Sequence, residues 1–296
     1  MAAAIPGRPS INSPDGLGAI ASGTLARPDS QMAITESIGE ATLTGLAYVG
    51  SLARLTGGAV GAIFIDPFRG KKLRLGRAVH QAMAVGVEAL PIVSLIAFFV
   101  GMIFGLQSAY QLRKLGALQF VADAVAIAIT RELGPLMTAI MVIGRSGSSF
   151  AAEIGTMKVN EEIDALETMA FEPVHFLVAP KFLAMILMLP CLTTWADFMG
   201  ITGGALFGVS NAGFTMASYF RRSLDALLLR DVTTGLIKSV MFGVVITAVG
   251  CQEGFSTGLG SEQVGRSTTS AVVKSIFLVI LVDLIFTALF YFTAPR

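Results

Sequence analysis

The chain has 296 residues, of which 54% are hydrophobic and 14% charged, and its formal net charge is +1. Soluble domains carry roughly 25% charged residues, so this composition marks an integral membrane protein, and the absence of a concentrated basic face excludes electrostatic binding of nucleic acid. Cys191 and Cys251 sit in apolar runs without ligand spacing, and His80 and His175 lie in separate segments without acidic or cysteine partners, so no metal site is expected.

Residues 1–35 are rich in Gly, Ala, Ser and Pro, lack hydrophobic periodicity and lack the apolar core of a secretory signal. They read as a disordered tail. From Ile38 to Ile65 apolar and small residues dominate, but Arg54 and many glycines interrupt them. That pattern fits an interfacial helix in the headgroup layer better than a span, and residues 36–88 are assigned to such a region. The cluster Arg69, Lys71, Lys72, Arg74 and Arg77 places this end in the cytoplasm.

The first span runs from Ala89 to Leu112 without a charge, and Arg113 and Lys114 stop it. A second, Phe120 to Gly144, holds Asp123, Arg131, Glu132 and Pro135, so other helices must shield it. Phe182 to Phe220 carries only Asp197 and is far longer than a hydrocarbon core of about 30 Å, so it divides near Gly208 to Gly213 into a third span and an external segment. A fourth span covers Val232 to Gln252 and a fifth Ser275 to Pro295. Residues 89–296 therefore read as an all-α transmembrane domain, with cytoplasmic loops at 146–180 and 253–274. On this topology Arg221, Arg222 and Arg230 fall outside, against the positive-inside bias, offset only by Asp225 and Asp231.

Arg131, Glu132, Asp197, Lys238 and Asp283 each interrupt an apolar run. A charge near the bilayer centre costs roughly 2.5–3.5 kcal/mol on insertion scales, so such groups face a bundle interior or a wet cavity. Depth along the helices, at about 1.5 Å per residue, makes Glu132 compatible with Lys238, and Arg131 with Asp197 or Asp283. The pairs either fix the bundle's arrangement or line a cavity, and the spacing is consistent with both. Gly200, Gly204 and Gly208, and likewise Gly101 and Gly105, form small-residue stripes that suit helix packing within the chain or a homodimer contact.

The loop after the second span is acidic. Asn160 is placed to cap a short helix whose first turn holds Glu161, Glu162 and Asp164, with Pro173 as its limit. Ile163, Leu166, Met169 and Ala170 form a narrow apolar face opposite Glu162 and Glu167, suited to a groove on another protein. No phosphate-binding G-x-x-x-x-G-K-[ST] loop, G-x-S-x-G elbow or H-E-x-x-H pair occurs, so ATP use falls to a separate subunit and no catalysis is expected here. A transporter that needs no ATPase, relaying protons through Glu132, Lys238 and Asp283, is the alternative.

The stretch RELGPLMTAIMVIGRSGSSFAAEIGTMKVNEEIDALETMAFEP, Arg131 to Pro173, closely resembles the MlaE/YrbE family of ABC-transporter permeases, which serve Mla and Mce-type lipid transport and have plastid relatives. GMIFGLQ at Gly101–Gln107, LIKSVMFG at Leu236–Gly243 and VDLIFTALF at Val282–Phe290 extend the resemblance over about residues 40–295. It implies a homodimer in the bacterial inner membrane, each copy with an N-terminal elbow helix, five spans and a cytoplasmic coupling helix. Partners implied are ATPase subunits that carry ATP and magnesium, a periplasmic Mce-domain protein, and phospholipid as cargo. Glu161, Glu162, Ile163, Asp164, Leu166, Glu167 and Met169 would form the coupling helix. Phe104, Gln111, Leu112, Leu115 and Arg131 match positions lining an outward-open lipid cavity, and Glu132 and Lys238 match a charged pair. The chain departs from better-known members in its longer N-terminal tail and in polar Gln111.

Overall fold

The computed structural model describes residues 30–64, 75–211 and 214–293, and every regular element among them is helical. Residues 1–29 of the expected tail, and the basic cluster from Arg69 to Arg74, lie outside the described residues. Residues 30–35 are not tail but open helix α1, Ser30–Phe64. The chain divides into two units at Val49 and Gly50. Of the first, only the opening stretch of α1 is described.

The second unit continues through α2 (Leu75–Gly86), α3 (Leu90–Lys114), α4 (Val121–Ala128), α5 (Gly134–Val142), α6 (Ser148–Val159), α7 (Glu162–Thr168), α8 (Ala179–Asn211), α9 (Met216–Ala226), α10 (Leu229–Phe255) and α11 (Ser261–Phe292). Turns of π-helix at Ile129–Leu133 and Ile143–Gly147 join α4, α5 and α6 into one helical path, and a third at Val174–Val178 leads into α8. The break after Asn211 falls where the over-long apolar run was expected to divide.

Six helical stretches among the described residues are long and apolar enough to cross a membrane: Gly45–Ile63, Gly76–Lys114, Leu118–Val159, Val174–Gly208, Leu229–Phe255 and Ser261–Phe292. Five contain the expected spans. The sixth is the segment expected to lie in the headgroup layer. Two expected cytoplasmic loops are mostly helix instead, because α6 buries Phe150, Ala151 and Ile154, and α11 begins at Ser261 rather than Ser275. Charges that shorten a span on paper leave a helix intact wherever one of its faces has a neighbour to pack against.

Glycine decides how α3 meets α8. A Cβ at Gly101 would lie 1.9 Å from the Gly200 carbonyl oxygen, and one at Gly203 would lie 2.0 Å from that of Phe98. Gly105 opposes Gly204 less tightly, its Cβ position 3.2 Å from the Gly204 Cα. Gly101 and Gly105 therefore pack on Gly200 and Gly204 within one chain, while Gly208 faces the Tyr219 ring. One core gathers Val93 and Ala97 of α3, Ala139 and Val142 of α5, Met185, Leu189 and Leu192 of α8, and Phe242 and Ile246 of α10. A second joins Leu55 and Ala59 of α1 to Ile154, Ile163, Val178, Phe182 and Cys251. By contrast α11 buries only Ala271, Ser275 and Val279, a four-residue repeat, and leaves Phe277, Ile280, Leu284 and Ile285 exposed.

Two of the three arginines that violate the charge bias, Arg222 and Arg230, are locally engaged. Arg222 of α9 forms a two-pronged contact with Asp123 of α4, Nε to Oδ1 at 2.8 Å and Nη2 to Oδ2 at 3.2 Å. Arg230 donates to the Phe290 carbonyl at 2.9 Å, at the end of α11. Arginines tied to carboxylates and helix-end carbonyls act as structural clamps between spans.

Candidate functional site

Four of the five charged residues of the apolar runs, Arg131, Glu132, Lys238 and Asp283, converge where α10 crosses the π turn at Ile129–Leu133. An extra residue in a helical turn shifts the side chains that follow it, and Arg131 and Glu132 sit within this one. The approach is tight because Gly235 has no side chain: a Cβ there would lie 2.2 Å from the Thr130 carbonyl oxygen. Lys238, one turn on from Gly235, enters the gap. Its side chain is fully buried, its ammonium is paired with Glu132, and it lies 2.9 Å from Asp283 Oδ1 of α11. It also donates to Thr287 Oγ1 at 2.8 Å. The ammonium thus has hydrogen bonds to Glu132 and Thr287 and a close opposite charge on Asp283.

Arg131 pairs with neither Asp197 nor Asp283, the two partners compatible with it by depth, but with Asp231. Its Nε lies 3.7 Å from Asp231 Oδ1, at the first turn of α10. Asp231 is 8% exposed, and its other oxygen accepts the Leu228 backbone N–H at 3.1 Å, closing the start of that helix. The cluster thus sets two cations, Arg131 and Lys238, against three carboxylates, Glu132, Asp231 and Asp283. Sequence reasoning missed Asp231, taking it as an offset for a neighbouring arginine. Its signal was the position three residues into a helix whose first backbone N–H needs an acceptor. Thr287 was also missed, and its four-residue spacing from Asp283 on α11 was the available signal.

Asp197 stands apart. Its Oδ1 is buried without a hydrogen-bond partner among the described residues, in the narrow space that Gly134 leaves: a Cβ on Gly134 would come within 1.8 Å of it. A helix–helix approach that requires glycine keeps this carboxyl away from Arg131.

The residues matched to a lipid cavity fall in two places. Phe104 and Leu112 pack with Leu118, Leu133 and Phe207 around Val121, Val125 and Ile129. Gln111 and Leu115 lie on the surface at the end of α3, Leu115 77% exposed. The Arg131 side chain, 39% exposed, borders the cluster.

The acidic helix α7 differs from expectation in three ways. It spans only Glu162–Thr168, because Glu161 (φ 59°) and Ala170 (φ 58°) take left-handed backbone conformations on either side. Asn160 ends α6 instead of capping α7, and its amide reaches Glu162 at 3.3 Å. The apolar face turns inward, Ile163 and Leu166 packing against the second core, while Met169 lies beyond the helix and is exposed. Left outward are Glu161, Glu162, Asp164 and Glu167, with Met169 and Phe171 beside them.

The Permease MlaE family model matches residues 78–289. A probable ABC transporter permease protein of Rickettsia conorii is 38% identical over 87% of this chain and 98% of its own length. The intermembrane phospholipid transport system permease protein MlaE of Haemophilus influenzae is 35% identical over 72% of this chain and 82% of its own. The chloroplastic protein TRIGALACTOSYLDIACYLGLYCEROL 1 of Arabidopsis thaliana is 34% identical over 74% and 63% respectively.

Proposed function

The chain belongs to the MlaE family of ABC transporter permeases, and from that premise we propose that two copies form the membrane pathway through which a phospholipid passes, driven by separate ATPase subunits. The observation that carries this reading is the charged cluster at Lys238, held amid apolar helices that leave broad unpartnered faces on α3 and α11. Phe104, Gln111, Leu112, Leu115 and Arg131 would form part of the wall around an acyl chain. A second copy set against these faces supplies the missing wall, with apolar side chains holding the tails and Arg131 meeting the phosphate.

α7 is the contact for the ATPases. Its outward carboxylates, not its apolar residues, meet the partner, and Ile163 and Leu166 carry the push into the second core against α1 and α8. In this reading the end of the bundle bearing α7 is cytoplasmic, the membrane is the bacterial inner membrane, and the lipid passes to or from a periplasmic Mce-domain protein. Residues 36–88 would serve as the elbow region ahead of the permease domain at 89–296. Being mutually paired, Glu132, Lys238 and Asp283 fix the arrangement of α10, α11 and the π turn and do not relay protons across the bilayer.

The test is reconstitution with the ATPase in vesicles holding a labelled phospholipid. Wild-type complex should move the label on ATP addition, and Glu162→Lys with Glu167→Lys should abolish co-purification of the ATPase while leaving the permease folded. ATP-independent movement of the label by the permease alone would overturn the reading.

A further inference from the structure

A second polar recess lies at the α7 end of the bundle, away from the Lys238 cluster. It has a volume of about 490 Å³ and is walled by Arg77, His80 and Gln81 of α2, Glu153 of α6, Phe176 of the π turn and Lys181 of α8. Its floor is neutralised, since buried Lys181 is paired with Glu153 and lies over the Phe150 ring at 4.7 Å. Its rim is not. The Arg77 guanidinium carbon lies over the Phe176 ring, 3.9 Å from the centroid, and its N–H groups have no carboxylate partner among the described residues. His80 is exposed beside it.

The faces of α2 indicate what the recess takes. Ala78, Val85 and Ala89 of the following turn are buried against the bundle. Val79, Met83 and Val87 repeat every four residues on an outer stripe and are each more than half exposed. Arg77, His80 and Gln81 form the third face, toward the recess. A helix with one buried, one greasy and one basic face lies at a boundary between hydrocarbon and headgroups. The sequence leading into it adds Arg69, Lys71, Lys72 and Arg74, which raise the local attraction for anionic lipid.

We propose that this recess binds the phosphate headgroup of an anionic glycerophospholipid from the adjacent leaflet, held by Arg77 and His80, with an acyl chain along Val79 and Met83. This goes beyond transport, needs only that the bundle sits in a membrane, and concerns a site walled by residues of one chain.

The full-length chain in phosphatidylcholine nanodiscs containing a minor fraction of phosphatidylglycerol, examined by native mass spectrometry, tests it. Wild type should retain phosphatidylglycerol over phosphatidylcholine. Arg77→Glu with His80→Glu should lower that retention about tenfold, the loss expected for charge-assisted hydrogen bonds, and Gln81→Lys should raise it. Equal retention of the two lipids by wild type, or retention unchanged in both variants, overturns the proposal. Displacement of the lipid by inorganic phosphate at equal concentration overturns it in favour of a soluble anion. Lipid movement by the complex is a separate readout, so loss of transport with retention intact counts against the transport reading alone.

Discussion

Removing the Lys238 ammonium is the sharpest perturbation the cluster offers. Lys238→Ala leaves Glu132 and Asp283 around one vacated position, with the Thr287 hydroxyl still donating to Glu132. Breaking a buried ion pair by deleting one partner costs about 3–5 kcal/mol, because the other charge stays desolvated. At about 2–4 °C per kcal/mol for a domain of this size, the melting temperature should fall by about 6–20 °C. Melting in detergent, followed by helical circular dichroism, measures it. The companion variant Lys238→Met with Glu132→Gln and Asp283→Asn removes all three charges and should recover most of the loss, since an apolar or neutral replacement of a buried ion pair is often tolerated. If Lys238→Ala melts within about 1 °C of wild type, the cluster is solvated and the reasoning fails. A neutral triple variant that is stable but moves no lipid would assign the charges to the pathway and not to the bundle's arrangement.

Gly101→Ala should weaken or prevent folding, by about 1–3 kcal/mol or more, because its Cβ would collide with backbone and not with a movable side chain. Gly57→Ala in α1 meets nothing within 4 Å and should be neutral or stabilising by about 0.5–1 kcal/mol, with expression and melting as the comparison. Tyr219→Phe should raise the melting temperature slightly, since the buried Tyr219 hydroxyl has no hydrogen-bond partner among the described residues, whereas Tyr219→Ala should cost about 3–5 kcal/mol. Ile163→Asp should destabilise the permease itself, whereas Glu162→Lys with Glu167→Lys should spare melting and act only on ATPase association, a contrast that pull-down and melting together read out.

Much of the site was legible because it obeys one-dimensional rules. Glu132 and Lys238 could be matched by depth because a helix advances a fixed rise per residue, whichever neighbours it has. Asp197 could not be placed in the same way. Depth says nothing about azimuth, and Gly134 brings α5 so close to α8 that its carboxyl is enclosed there and not beside Arg131. Asp231 took its place through the need of α10 for a first-turn acceptor. The apolar side of α7 was recognised from its spacing, but a face that is apolar in sequence does not say whose core it enters. Here Leu55, Val178 and Phe182 were already present to receive it.

The sequence by itself determined that the chain lives in a membrane, where its helices divide and which charges lie at similar depths. These follow from the cost of exposing polar groups to hydrocarbon and from the fixed pitch of the backbone. Tertiary structure alone decided which side of each helix faces which neighbour. That depends on contacts such as Gly101 on Gly200 and Gly235 on Thr130, where the missing side chain matters only because a particular backbone lies opposite it.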